Sequence, residues 1–122
     1  MNHKDLAVWQ KSMALAVEVY ALSKHIPKEE MFGLTSQMRR AAVSVPSNTA
    51  EGAARHTTRE FLAFLYIARG SLAELETQLR LTHAIGYLPD DLVSPALAST
   101  DEVGRLLTSV IAGLKRRLAR AK

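Results

Sequence analysis

The sequence predicts an all-α fold, a four-helix bundle of up-down-up-down connectivity, on three observations. Aromatic residues make up only 6% of a chain that is 48% hydrophobic, so Leu, Val, Met and Ala must build the core. That palette favours helices packed on helices over a sheet sandwich. Apolar residues recur at steps of three and four in four separate segments, and no segment alternates with the period of two that a half-buried strand needs. The segments are joined by short connections punctuated by Pro and Gly, which makes consecutive helices antiparallel neighbours. With 122 residues, no internal repeat and no sign of a second domain, residues 1–122 read as one domain.

Helix 1 is expected from about Asp5 to Lys24, with Leu6, Trp9, Met13, Ala16 and Tyr20 marking its apolar face. It ends before "HIPKEEMFG", where Pro27 and Gly33 punctuate a loop. Helix 2 begins near Leu34 or Thr35 and carries "QMRRAAVSVPSNTAEGAAR". Helix 3 has the clearest start, because Thr57 and Glu60 have capping-box spacing. Phe61, Leu65, Ala68, Leu72, Leu75 and Leu79 form its stripe, and Gly86 is its natural stop. Gly70 inside that helix costs about 1 kcal/mol relative to Ala, and a close helix approach is the expected reason for it. Helix 4 opens at Ser94-Pro95 or Thr100-Asp101, and its stripe is Val103, Leu107, Val110, Leu114 and Leu118.

Helix 2 is unusual on a helical wheel. Arg40, Ser44, Asn48, Glu51 and Arg55 fall on one narrow polar line. Leu34, Met38, Ala41, Ala42, Val45 and Ala53 cover one flank. Val43, Pro46, Ala50 and Ala54 cover the other, where Arg39 is the exception. An ordinary surface helix needs one apolar face. Two flanks imply burial on both sides, the first in the bundle core and the second in a subunit interface. Pro46 admits two readings. Either it bends a continuous helix by removing the bond to the Ala42 carbonyl, or the helix ends near Val45 and Asn48 caps a new one with Glu51 as its partner. The first is favoured, because a helix from Asn48 to Arg55 would have only two turns. If helices 2 and 3 form an antiparallel hairpin turning near His56, Arg39 and Arg40 lie level with Glu74, which predicts an interhelical ion pair. Arg69 then lies level with Ser44.

Little in the composition points to chemistry. The absence of cysteine excludes thiol catalysis, cysteine-ligated zinc and disulfides. His3, His25, His56 and His83 are scattered, and Glu74 and Glu76 do not form the Glu-x-x-His pattern of di-iron bundles, so no metal or other cofactor is expected. Glu51 is the best acid–base candidate, but Arg40 and Arg55 beside it mark a structural ion pair more than a general base. No nucleotide-binding or hydrolase motif is present, and the chain reads as no enzyme. "MNHKDLAVWQ" has no signal-peptide core and no run is long and apolar enough to span a membrane, so cytoplasmic location is the default. The net charge is +4, and its placement matters more than its size. "KRRLARAK", residues 115–122, holds five basic residues and no acid. It reads as a helix end that complements the macrodipole, or as a phosphate-directed contact for RNA or DNA through Lys115, Arg116, Arg117 and Arg120.

"DLAVWQKSMALAVEVY", "PKEEMFGLTSQMRRAAVSVPSNTAEGAAR", "EFLAFLYIARGSLAELETQL" and "GYL" occur in order between Asp5 and Leu88. Together they resemble the four-helix-bundle family first noted as reading frames within ribosomal-RNA intervening sequences. That family is similar to the accessory variability determinant proteins of diversity-generating retroelements. The resemblance implies a bundle that assembles into a homo-oligomeric ring, commonly a pentamer, with no known enzymatic activity. The retroelement relatives bind nucleic acid and a reverse transcriptase through basic surfaces. The motif residues matched here are Arg39, Arg40, Pro46, Ser47, Asn48, Glu51, Gly52, Arg55, Arg69, Gly70 and Glu74. The family usually has "SNIAEG", and Thr49 stands here in place of the Ile.

Overall fold

The computed structural model of the protein describes residues 1–121, so Lys122, the last of the basic tail, lies outside the described residues. Among these residues there are four α-helices and no strand: α1 (Ala7–Ser23), α2 (Leu34–Ala53), α3 (Thr58–Ala84) and α4 (Asp90–Ala121). Short 3-10 turns at His3–Asp5 and Lys28–Glu30 precede α1 and α2. The helices pack in a closed cycle, α1 on α2, α2 on α3, α3 on α4 and α4 back on α1. Each contact is antiparallel. The end of α1 meets the start of α2 at Ser23 and Arg39, the start of α3 meets the end of α4 at Tyr66 and Lys115, and the middle of α2 meets the middle of α3 at Ser44 and Ser71. This is the expected up-down-up-down bundle.

Leu15 and Val19, Met38 and Val45, Leu65, Leu75 and Leu79, and Val103 and Leu107 fill the centre, each at most 2% exposed. The expected α3 stripe is buried along its whole length. So is the first flank of α2, apart from Leu34, which packs on the core from its edge. The Thr57 hydroxyl accepts the Glu60 N–H at 3.1 Å, which is the N-cap half of the expected capping box, while the Glu60 carboxylate accepts from the Thr57 hydroxyl at 2.9 Å rather than from its backbone N–H. At the other end Gly86 takes φ +86°, and the Tyr87 N–H reaches the Thr82 carbonyl at 2.9 Å. That is a Schellman stop, which favours glycine at the left-handed position.

Three expectations are corrected. The core face of α1 is Val8, Ser12, Leu15, Ala16, Val19 and Leu22, whereas Met13 and Tyr20 are exposed. Helix 1 is apolar nearly all round, and the core stripe is disguised by Ser12, whose hydroxyl is satisfied by the Trp9 carbonyl at 3.0 Å. Helix α4 starts at Asp90, ahead of both expected sites, and contains Pro95. The Pro89 carbonyl accepts from Leu92 and Val93 at 3.1 Å, and burial of Val93 and Ala96 holds that first turn on the core. Gly70 has nothing within 4 Å of where a Cβ would sit, so no close approach within the chain explains it.

α2 runs unbroken through Pro46. Asn48 does not cap a new helix. Its side-chain amide donates backward to the Ser44 carbonyl at 2.9 Å. Thr49 is fully buried, and its hydroxyl donates to the Val45 carbonyl at 2.8 Å, which makes the polar replacement tolerable in the core.

Candidate functional site

The surface carries three features that bear on function. The first is apolar. The second flank of α2 faces the unburied side of α1, and the two form a groove of about 560 Å³ lined by Trp9, Met13, Val17 and Tyr20 from α1 and Val43, Pro46 and Ala50 from α2. His3 closes one end against Trp9, ring centroids 5.1 Å apart. Among the described residues no Lys, Arg, Asp or Glu lines the groove. The stripe expected to face the core of helix 1 is therefore mostly the wall of this groove. A second cleft adjoins it, sharing Tyr20, Val43 and Ser47, and is bordered by Met31 and Phe32 of the α1–α2 loop.

The second feature is the polar line of α2, which proves to be a set of structural contacts. Arg39 turns toward α1: its Nε donates to Ser23 Oγ at 2.9 Å, and its guanidinium lies 4.8 Å over the Tyr20 ring. Glu74 instead accepts from Gln78 Nε2 at 3.4 Å. Arg40 and Glu74 line one cleft between α2 and α3 but form no ion pair, so the expected pairing of Arg39 and Arg40 with Glu74 does not occur. Arg40 and Glu74 do lie level across the hairpin, but Arg39, about 100° further round the helix, meets α1 instead. Glu51 pairs with Arg55 at 2.9 Å, and both are exposed. Arg40 takes no part in that pair. The Arg55 guanidinium also covers the Phe64 ring at 4.8 Å. Gly52 is where the close approach lies: a Cβ there would meet Phe61 Cδ1 and Phe64 Cβ at 2.9 Å.

The third feature is basic. Lys115, Arg116, Arg117 and Arg120 are exposed on the last turns of α4, and none forms an ion pair among the described residues. The Lys115 ammonium lies 5.8 Å from the Tyr66 ring centroid, and the Arg69 guanidinium lies 5.0 Å from the same centroid. Arg69 does not reach Ser44, whose partner on α3 is Ser71. It joins the positive surface of the tail, and Tyr66 sits among the cations. The only sequence signal for Tyr66 is its position beside Leu65, off the buried stripe. No cluster of three or more metal-ligating side chains exists among the described residues, and no helix there is long and apolar enough to cross a membrane.

A family model described as 23S rRNA-intervening sequence protein matches residues 4–109. The matched range ends before Lys115, so the basic turns lie outside it. Among solved structures, a protein of unknown function from the S23 ribosomal protein family, from Bacteroides thetaiotaomicron, is similar. It is 26% identical with a TM-score of 0.81, and the match covers 92% of this chain and 99% of that one. No curated protein matches.

Proposed function

The chain belongs to the 23S rRNA-intervening sequence protein family, and from that premise we propose that it acts without catalysis, as a cytoplasmic homo-oligomer that grips nucleic acid by its phosphates. The assembly is a ring of bundles, a pentamer by the family resemblance, joined through the α1–α2 face. The grip is Lys115, Arg116, Arg117 and Arg120, with Arg69 beside them.

One observation carries the reading: four cations crowd the last turns of α4 with no carboxylate partner among the described residues. Such a cluster favours a polyanion, and its contacts are sequence-tolerant and salt-dependent. A ring repeats the cluster, and repeated weak sites raise affinity without any new contact. The basic turns lie on the α3–α4 side and the groove on the α1–α2 side, so assembly leaves the cations open.

Replacing all four cations by Glu is the test. Binding to structured RNA and to duplex DNA should be lost while the oligomer mass stays unchanged. Unchanged affinity would remove the site. If the wild-type protein binds neither RNA nor DNA at low salt, its exposed apolar groove favours the rival role, a protein-interaction scaffold such as an accessory subunit of a reverse transcriptase.

A further inference from the structure

Tyr66 stands off the buried stripe of α3 and is 38% exposed. Its surroundings are cationic. The Arg69 guanidinium lies over its ring at 5.0 Å from the centroid, and the Lys115 ammonium at 5.8 Å. Arg59, also exposed, comes seven residues earlier on the same face of α3. None of these three cations forms an ion pair among the described residues. The stretches of α3 and α4 that meet here, residues 61–73 and 103–121, hold no Asp or Glu. The aromatic ring is therefore set within a track of positive charge that no nearby carboxylate on either helix neutralises.

The two cations over the ring are held differently. Arg69 is one turn along the same helix, and its planar guanidinium suits stacking on an aromatic face. Lys115 comes from the neighbouring helix on a flexible stem, near the outer limit of about 6 Å at which a cation still feels the ring. A flat group arriving at Tyr66 displaces the ammonium at little cost, and leaves it free to meet an anion beside that group.

Stacking on an aromatic ring, with cations following the backbone, is how a protein holds unpaired nucleotides. A duplex cannot use the ring, because its bases are already stacked on one another and turned inward. We propose that the basic surface of α3 and α4 takes unpaired nucleotides, with a base stacked on Tyr66 and its phosphates on Lys115 and the cations around it. This rests on the phosphate-directed binding proposed above and narrows its ligand to single-stranded stretches and loops. Phosphate contacts alone predict the opposite preference, since a duplex carries the denser charge.

The test compares a short RNA without self-complementarity with the same RNA annealed to its complement, at one salt concentration, on the full chain. The wild type should bind the single strand more tightly. Tyr66→Leu keeps an apolar side chain at an exposed position, and should retain the wild-type helical circular dichroism. It should weaken single-strand binding by roughly tenfold or more, leave duplex binding unchanged, and so reverse the preference. Tyr66→Phe keeps the ring and should behave as wild type. A wild-type preference for the duplex, or a loss in Tyr66→Leu shared equally by strand and duplex, overturns the stacking and leaves the phosphate grip standing. A Tyr66→Phe variant as weak as Tyr66→Leu also overturns it. Failure of the wild type to bind either RNA at low salt overturns the phosphate-directed reading, and the stacking with it.

Discussion

Ser44 and Ser71 meet hydroxyl to hydroxyl at 2.8 Å across the seam between α2 and α3. Asn48 extends the contact by donating to Ser44 Oγ and to the Ser44 carbonyl, both at 2.9 Å. The polar line of α2 thus sets the register of the central hairpin. Ser44→Ala leaves Ser71 and Asn48 short of a partner in a half-buried site, so stability should fall by about 1–2 kcal/mol. The urea midpoint should drop at unchanged m.

Two of the helical glycines, Gly52 and Gly70, should respond in opposite directions. Gly52→Ala places a methyl 2.9 Å from Phe61 Cδ1 and Phe64 Cβ, and overpacking of this kind costs about 1–3 kcal/mol. Gly70→Ala enters open space and should stabilise α3 by about 1 kcal/mol. Thermal melts of the two variants beside the wild type separate these signs.

Tyr87 ties the α3–α4 connection to the α1–α2 loop through its 3.0 Å bond to Glu30. Donation to the Glu30 carboxylate raises its pKa above the ordinary 10.0, with desolvation and the charges of Glu30 and Glu29 acting in the same direction. The folded state therefore holds this proton more tightly than the unfolded state. The resulting stability is fully present below pH 10.0, the ordinary value, and is lost as pH rises through the raised folded value. Tyr87→Phe should remove that part of the alkaline decline, as seen in denaturation midpoints followed across the range.

Assembly through the α1–α2 face makes its own demand. Val43 is 41% exposed within one copy, so Val43→Glu should fold normally, yet a charge there would have to be desolvated between copies. A fall in oligomer mass at unchanged helicity is the expected result. An unchanged mass would move the contact to another face.

Much of this architecture was legible in the sequence, and the misses have physical reasons. Helix α3 could be read from end to end because its stripe is uninterrupted and both ends carry a capping signal, Thr57 and Gly86. The first flank of α2 was equally plain. The α1 face was inverted because a helix that is apolar nearly all round gives periodicity no contrast, and because Ser12 occupies a core position with its hydroxyl bonded to its own backbone. The start of α4 was missed because Pro95 reads as a first-turn proline, while burial of Val93 decides the matter from outside the segment. At the candidate site, clustering of the basic turns was visible in "KRRLARAK". The approach of Lys115 and Arg69 to Tyr66 was not, since it depends on how α3 and α4 pair. The Arg39 contacts to Ser23 and Tyr20 likewise needed the α1–α2 packing to appear.

The central claim is phosphate-directed binding by an oligomer, and its most direct measurement is the affinity of the wild-type protein for structured RNA as a function of salt, with the mass of the complex followed in parallel. Each phosphate contact contributes roughly −0.7 to −0.9 to the slope of log affinity on log salt, so the four cations of one copy predict about −3, and several copies together a steeper value. A slope at least that steep, carried by a species heavier than one subunit, is the expected result. No binding at low salt, or an affinity that hardly changes with salt, would contradict the account.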